Sequence, residues 1–147
     1  MNKVAFSVKI VIICLFFTTG ILASNSNFFD KGKDFFNKKK FDKSKIFFEK
    51  DIVFNPKQER SYLYLAKIFD RKDNDDEQEK NLYNVLLLNP QNDEAIYMLT
   101  LLKIKQSNYD DAKELIDRFV LVCKNLCSKK EEMQNKLNKL TPENAKD

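Results

Sequence analysis

The stretches FNPKQERSYLYLAKIF (residues 54–69) and LNPQNDEAIYMLTLLK (residues 88–103) have nearly the same layout. Each opens with an apolar residue and Asn-Pro, crosses a short polar run, and enters a helical pattern rich in aromatic and aliphatic side chains. Pro56 and Pro90 stand 34 residues apart. A fixed period of this length marks a stacked array of short units, because one such unit cannot bury its apolar face alone.

Extending the period both ways divides residues 25–126 into blocks 25–58, 59–92 and 93–126. Each block reads as two amphipathic helices. In the first, Phe28, Phe35 and Phe36 mark one helix and Ile46, Phe48, Ile52 and Phe54 the next, with NKKKFD between them. In the second, Tyr62, Leu65, Ala66 and Phe69 precede DRKDNDDE, and Leu82, Val85, Leu86 and Leu88 follow it. In the third, Ile96, Leu99 and Leu102 precede KQSNYDD, and Ala112, Leu115, Ile116, Phe119 and Val122 follow it. The tail SKKEEMQNKLNKLTPE predicts a capping helix, with Ser128 and Glu131 as a capping box and Met133, Leu137 and Leu140 as one stripe. Two Gly and three Pro in 147 residues also favour helices over a sheet with many tight turns.

Residues 1–23 stand apart from this pattern. Lys3 and Lys9, the apolar IVIICLFF and the small residues of TTGILAS form a secretory signal, with a cut expected after Ala23. An uncleaved anchor would need roughly 20 apolar residues, and this run is shorter and broken by Thr18, Thr19 and Gly20. Removing Lys3 and Lys9 leaves 24 basic residues against 22 acidic, a net charge of +2. That balance argues against nucleic acid as a partner. The first block is mildly basic, which leaves contact with an anionic membrane surface open.

The three blocks resemble the tetratricopeptide repeat, whose pattern runs bulky, small, aromatic, small, aromatic, proline. Phe28, Gly32, Phe35, Ser44, Phe48 and Pro56 fill those places in the first block; Tyr62, Ala66, Phe69, Leu82 and Pro90 fill them in the second. The third offers Ile96, Tyr109, Ala112 and Ile116. Gln78, Thr100, Lys103 and Lys124 depart from the pattern, the last in place of the proline. The resemblance implies an all-α, right-handed α-solenoid of three helix-turn-helix repeats, closed by a C-terminal capping helix and tail over residues 127–147. It also implies that the first helix of each pair lines a concave groove. The positions carried over are Ser26, Phe29, Lys33, Phe36 and Asn37; Arg60, Leu63, Lys67, Asp70 and Arg71; and Glu94, Tyr97, Leu101, Ile104 and Lys105. In this reading Phe29 and Phe36, on the edge helix, are exposed. Tyr97, Leu101 and Ile104 are either groove or core, since AIYMLTLLKI is apolar nearly all round.

Catalysis has few groups to draw on. The chain has no His, and Gly32 is its only glycine outside the first 23 residues, so no base for a nucleophile and no phosphate-cradling loop is offered. The acidic run Asp73, Asp75, Asp76, Glu77 and Glu79 lacks the Gly and Glu that a calcium loop needs, Gln78 and Asn84 standing there instead. It reads as a solvated turn. Cys123 and Cys127 straddle the end of the sixth helix and the start of the cap, and form either a disulfide, as an exported protein favours, or two thiols packed at that joint.

These readings converge on a non-catalytic interaction scaffold without cofactor or metal, exported to the periplasm or envelope. It would hold a peptide or helix of a partner protein in the groove through Phe29, Lys33, Phe36, Arg60, Leu63, Lys67, Arg71, Tyr97, Leu101, Ile104 and Lys105. A fixed subunit of an envelope assembly complex, for outer-membrane protein insertion or pilus biogenesis, is the alternative. If Phe29 and Phe36 do not meet a partner, they pair two copies as a homodimer.

Overall fold

The computed structural model describes residues 27–140. Seven α-helices run through them: α1 Phe28–Asn37, α2 Phe41–Phe54, α3 Glu59–Asp70, α4 Asp75–Leu88, α5 Asp93–Lys105, α6 Tyr109–Val122 and α7 Lys130–Leu140, with a 3-10 turn at Cys127–Lys129 before α7. The expected signal at residues 1–23 lies outside the described residues. Successive helices pack as hairpins α1–α2, α3–α4 and α5–α6, each stacking on the next, and α7 covers the last pair. This is a solenoid of three helical repeats with a cap.

Local chemistry explains each turn. The three hairpin loops pass through Lys39, Asp73 and Ser107, all in the left-handed region at φ 56°, 51° and 59°. The next N–H then reaches back to close the first helix: Lys40 to the Phe35 carbonyl, Asn74 to Phe69 and Asn108 to Lys103, at 2.9, 3.0 and 2.9 Å. Asn74 and Asn108 also cap the second helices, their side chains accepting from the N–H of Glu77 and Asp111. At the other end α2 and α4 stop at Asn55 and Asn89, and the prolines behind them cannot continue the helix. The cap departs from expectation here. Ser128 falls inside the 3-10 turn and α7 begins at Lys130, so no capping box forms.

Close approach within a hairpin rests on small residues. A Cβ on Gly32 would sit 2.7 Å from Cε1 of Phe48, and the Ser44 hydroxyl donates to the Gly32 carbonyl at 2.8 Å. In the third hairpin Thr100 takes the small place by turning its hydroxyl onto the Ile96 carbonyl of its own helix. The core forms two bodies that share α3. Phe29, Phe48, Leu65, Ile68 and Phe69 fill the N-terminal one. Leu63, Ala66, Leu82, Leu99, Ile116, Phe119, Met133 and Leu137 belong to the other, so the cap completes it.

Candidate functional site

The first helices, α3 and α5 above all, wall a cleft of about 680 Å³, with Phe36 of α1 at one end and Lys136 of α7 at the other. Phe36, Tyr97, Met98 and Leu101 are its half-buried apolar surface; Lys67, Asp70, Arg71, Glu94, Lys105 and Lys136 are its charges.

The charges divide into held and free. Lys67 Nζ lies 2.7 Å from Glu94 Oε1, tying α3 to α5, and 5.0 Å from the Tyr64 ring. Lys105 reaches Asp75 at 2.7 Å and Asp73 at 3.5 Å, and the hydrogen bond to Asp75 leads the effects that raise its pKa. Tyr97 donates its hydroxyl to Glu132 Oε1 at 2.8 Å, and Lys129 pairs with the same carboxylate. Burial, then that hydrogen bond, push the Tyr97 pKa up; Lys129, then Tyr97, hold Glu132 below the usual carboxylate range. Arg71 has no carboxylate among the described residues, its guanidinium resting over Phe41 and Phe36 at 5.0 and 5.7 Å. Lys136 makes no direct ion pair among them, though its charge is near enough to Glu132 to help hold that carboxyl down.

Most of the sequence-predicted groove residues come together here: Phe36, Lys67, Arg71, Tyr97, Leu101 and Lys105. Others do not. Phe29 is buried, not exposed, because Phe48 and Tyr64 pack on its ring at 5.8 Å each and the Arg60 guanidinium covers it at 4.3 Å. Leu63 and Ile104 are core. Arg60 lines a separate cleft at the N-terminal edge, with Asn27, Asp30 and Gln58, and Lys33 is exposed on α1 outside the cleft. Sequence reasoning missed Met98 and Lys136. Lys136 carried no local signal, since only the docking of the cap turns it toward α5.

The arrangement suits binding rather than proton transfer. Each resolved carboxylate shift is downward and each lysine shift upward, so these groups stay charged near neutral pH instead of moving toward it. Four of the five residues of the acidic run are spent on ion pairs, Asp73 and Asp75 with Lys105, Glu77 with Lys80 and Glu79 with Lys103, and Asp76 is exposed. Among the described residues no three His, Cys, Asp or Glu side chains are placed to hold a metal ion.

Behind the groove the cap is fastened at one joint. The Asp93 carboxylate at the start of α5 accepts the backbone N–H of Lys124, Asn125 and Leu126 at 2.9, 2.7 and 3.2 Å. Cys123 and Cys127 are bridged across that same loop, their Cα atoms 5.3 Å apart. Burial disfavours the Asp93 charge, but these donors outweigh it and hold the carboxyl below its ordinary range. Lys124, standing where the first two blocks have proline, is thereby given a partner.

No family model and no curated protein matches the sequence. Solved structures do. The TPR2B domain of yeast Sti1, in a complex with pHsp70, is similar at a TM-score of 0.69 and 15% identity, over 81% of this chain and 98% of that one. The Sgt2 TPR domain from Aspergillus fumigatus is similar at 0.66 and 13%, over 79% and 81%. With its three stacked helical hairpins, the chain has the tetratricopeptide-repeat fold.

Proposed function

We propose that this chain is a non-catalytic, exported scaffold that holds a segment of another envelope protein in the groove of its first helices. The observation that carries the reading is the pairing of half-buried Phe36, Tyr97 and Leu101 with two cations, Arg71 and Lys136, that make no direct ion pair among the described residues, Lys136 acting on Glu132 only at longer range. Apolar anchors recognise the body of a peptide or helix, and uncommitted cations its carboxylate, whether side chain or terminus. The similar Sti1 domain, seen with pHsp70, supports peptide holding as the use of this fold. Export rests on residues 1–23, and the bridged Cys123 and Cys127 accord with an oxidising compartment.

The test is affinity purification of the tagged chain from its own cells, beside an Arg71→Glu/Tyr97→Ala variant whose helicity is checked by circular dichroism. A partner bound by the chain, and weakened at least tenfold by the variant when remeasured with the purified partner, supports the groove. Equal binding by both sinks it. N-terminal sequencing of the same material, expected to begin at Ser24, tests export.

A further inference from the structure

The second helices carry a feature that the groove does not use. Val53, Leu87 and Leu121 are 76%, 80% and 85% exposed, and they stand 34 residues apart, at the same place in each repeat. Phe54 and Val120 widen the row, at 65% and 42%, and Tyr83 adds half its surface one turn back. Scattered exposed apolar residues are ordinary; a row at the period of the fold is a ridge, here with a cleft between α4 and α6 that Tyr83 and Leu87 line, and marks a surface that is covered in use.

The charges beside the ridge say what covers it. On α2, Lys43 and Lys50 have no ion-pair partner among the described residues and lie only near the Phe35 and Phe47 rings. On α6, Asp110 and Asp117 likewise have none, nor has Glu114 between them. Lys50 precedes Val53 by three residues and Asp117 precedes Leu121 by four; Lys43 and Asp110 precede them by ten and eleven. Lys113 and Arg118 also lie on α6 without a carboxylate partner among the described residues, so the unpaired charge of that end is negative only in sum, against the positive α2 end at nearly the same heights.

We infer that the ridge pairs two copies of this chain about a two-fold axis that runs along α4. That axis brings α2 of one protomer against α6 of its partner at matched height. Leu87 meets its own copy, Val53 meets Leu121, Lys50 meets Asp117 and Lys43 meets Asp110. Stacking the repeats in the same order would instead set lysine on lysine and aspartate on aspartate. At the centre Lys80 is neutralised by Glu77 at 3.2 Å, whereas exposed Asp76, 11 residues before Leu87, meets its own copy and works against the pairing that the flanks favour. Lys113 meets the Lys45–Glu49 pair, which is neutral as a unit. Such an interface is self-complementary, as a two-fold contact must be. It leaves the groove of both copies open.

Sedimentation velocity over a range of protein and salt concentrations tests this on protein expressed from the complete sequence, with circular dichroism confirming each fold. The chain should dimerise, more weakly at high salt. Leu87→Asp should abolish the dimer. Lys50→Glu and Asp117→Lys should each weaken it by about tenfold, since each places two like-charge pairs at the interface. The double variant Lys50→Glu/Asp117→Lys should restore it. A monomer throughout, or a dimer indifferent to Leu87→Asp, overturns the inference. A monomer that binds vesicles of anionic lipid through Leu87 also overturns it, and assigns the ridge to a membrane. Loss in both single variants without recovery in the double refutes the reversed order of repeats.

Discussion

Asp93 is the residue on which the docking of the cap should turn. It is 8% exposed, and its carboxylate accepts three consecutive backbone N–H groups from the loop that leads from α6 into the cap. A hydrogen bond to a charged group contributes about 1.5–3 kcal/mol where the donor would otherwise stay dry. Lys124 and Asn125 are exposed, however, and water would satisfy their N–H groups after the change. Asp93→Ala should therefore cost about 2–3 kcal/mol, not the sum of three full bonds, and Asp93→Asn somewhat less, because an amide oxygen still accepts. In thermal unfolding that is a drop of roughly 10 °C for a chain of this size. The carboxyl is held below its ordinary value of 3.8, so its contribution is fully present above that pH and is lost as pH falls through the lower folded value. The difference between wild type and Asp93→Asn should be steady from pH 5 to 8 and shrink in acid. Hydrogen exchange should show where the loss lies, in residues 124–140, with α1–α4 unchanged. An Asp93→Asn protein as stable as wild type at pH 7, or a gap that persists undiminished in acid, would refute the reasoning.

Three further changes probe the packing. Gly32→Ala, stabilising by about 1 kcal/mol at an unconstrained helix position, should here destabilise by about 1–2 kcal/mol, since its Cβ would lie 2.7 and 2.8 Å from two ring atoms of Phe48; chemical denaturation decides the sign. Lys39→Gly should stabilise by about 0.5 kcal/mol by removing a strained left-handed lysine, and more than Asp73→Gly, because aspartate tolerates that region better. Lys103→Met leaves Glu79 partly buried without its 2.6 Å partner and should cost about 2 kcal/mol, whereas Lys103→Met/Glu79→Gln should recover most of it; equal losses in the single and double variants would show that the pair is not coupled.

How far the sequence could be read follows from how local each signal was. Asn-Pro at 55–56 and 89–90 acts within one turn, so the period, the hairpins and the ends of α2 and α4 were legible from the chain alone. Gly32 and Ser44 are complementary across a single hairpin, and both were legible as the small places of the first block. Phe29 was misread because its cover comes from α3, where Tyr64 and Arg60 close over it, and no spacing within the first block discloses that. Lys103 and Lys124 looked like decay of the repeat. Each is instead answered from elsewhere, Lys103 by Glu79 on α4, which also accepts from Gln106, and the Lys124 backbone by Asp93. The hairpin turns carried a signal that went unused: Lys39, Asp73 and Ser107 keep the 34-residue interval as strictly as the prolines do.

The same period explains why two surfaces arise from one short chain. A repeat of two helices presents its first helix to one side and its second to the other, and stacking copies each choice three times. Apolar and charged residues on the first helices become a groove; Val53, Leu87 and Leu121 on the second helices become a ridge. The two share no residue. A ligand in the groove should then leave self-association unchanged, because any effect of one on the other would require the array to bend, and coupling of that kind must act equally in both directions. If two copies do pair along the ridge, each dimer carries two independent grooves. A partner that displays its segment twice would be held far more tightly than one groove allows, at a strength set by the spacing of its two segments and not by any new contact.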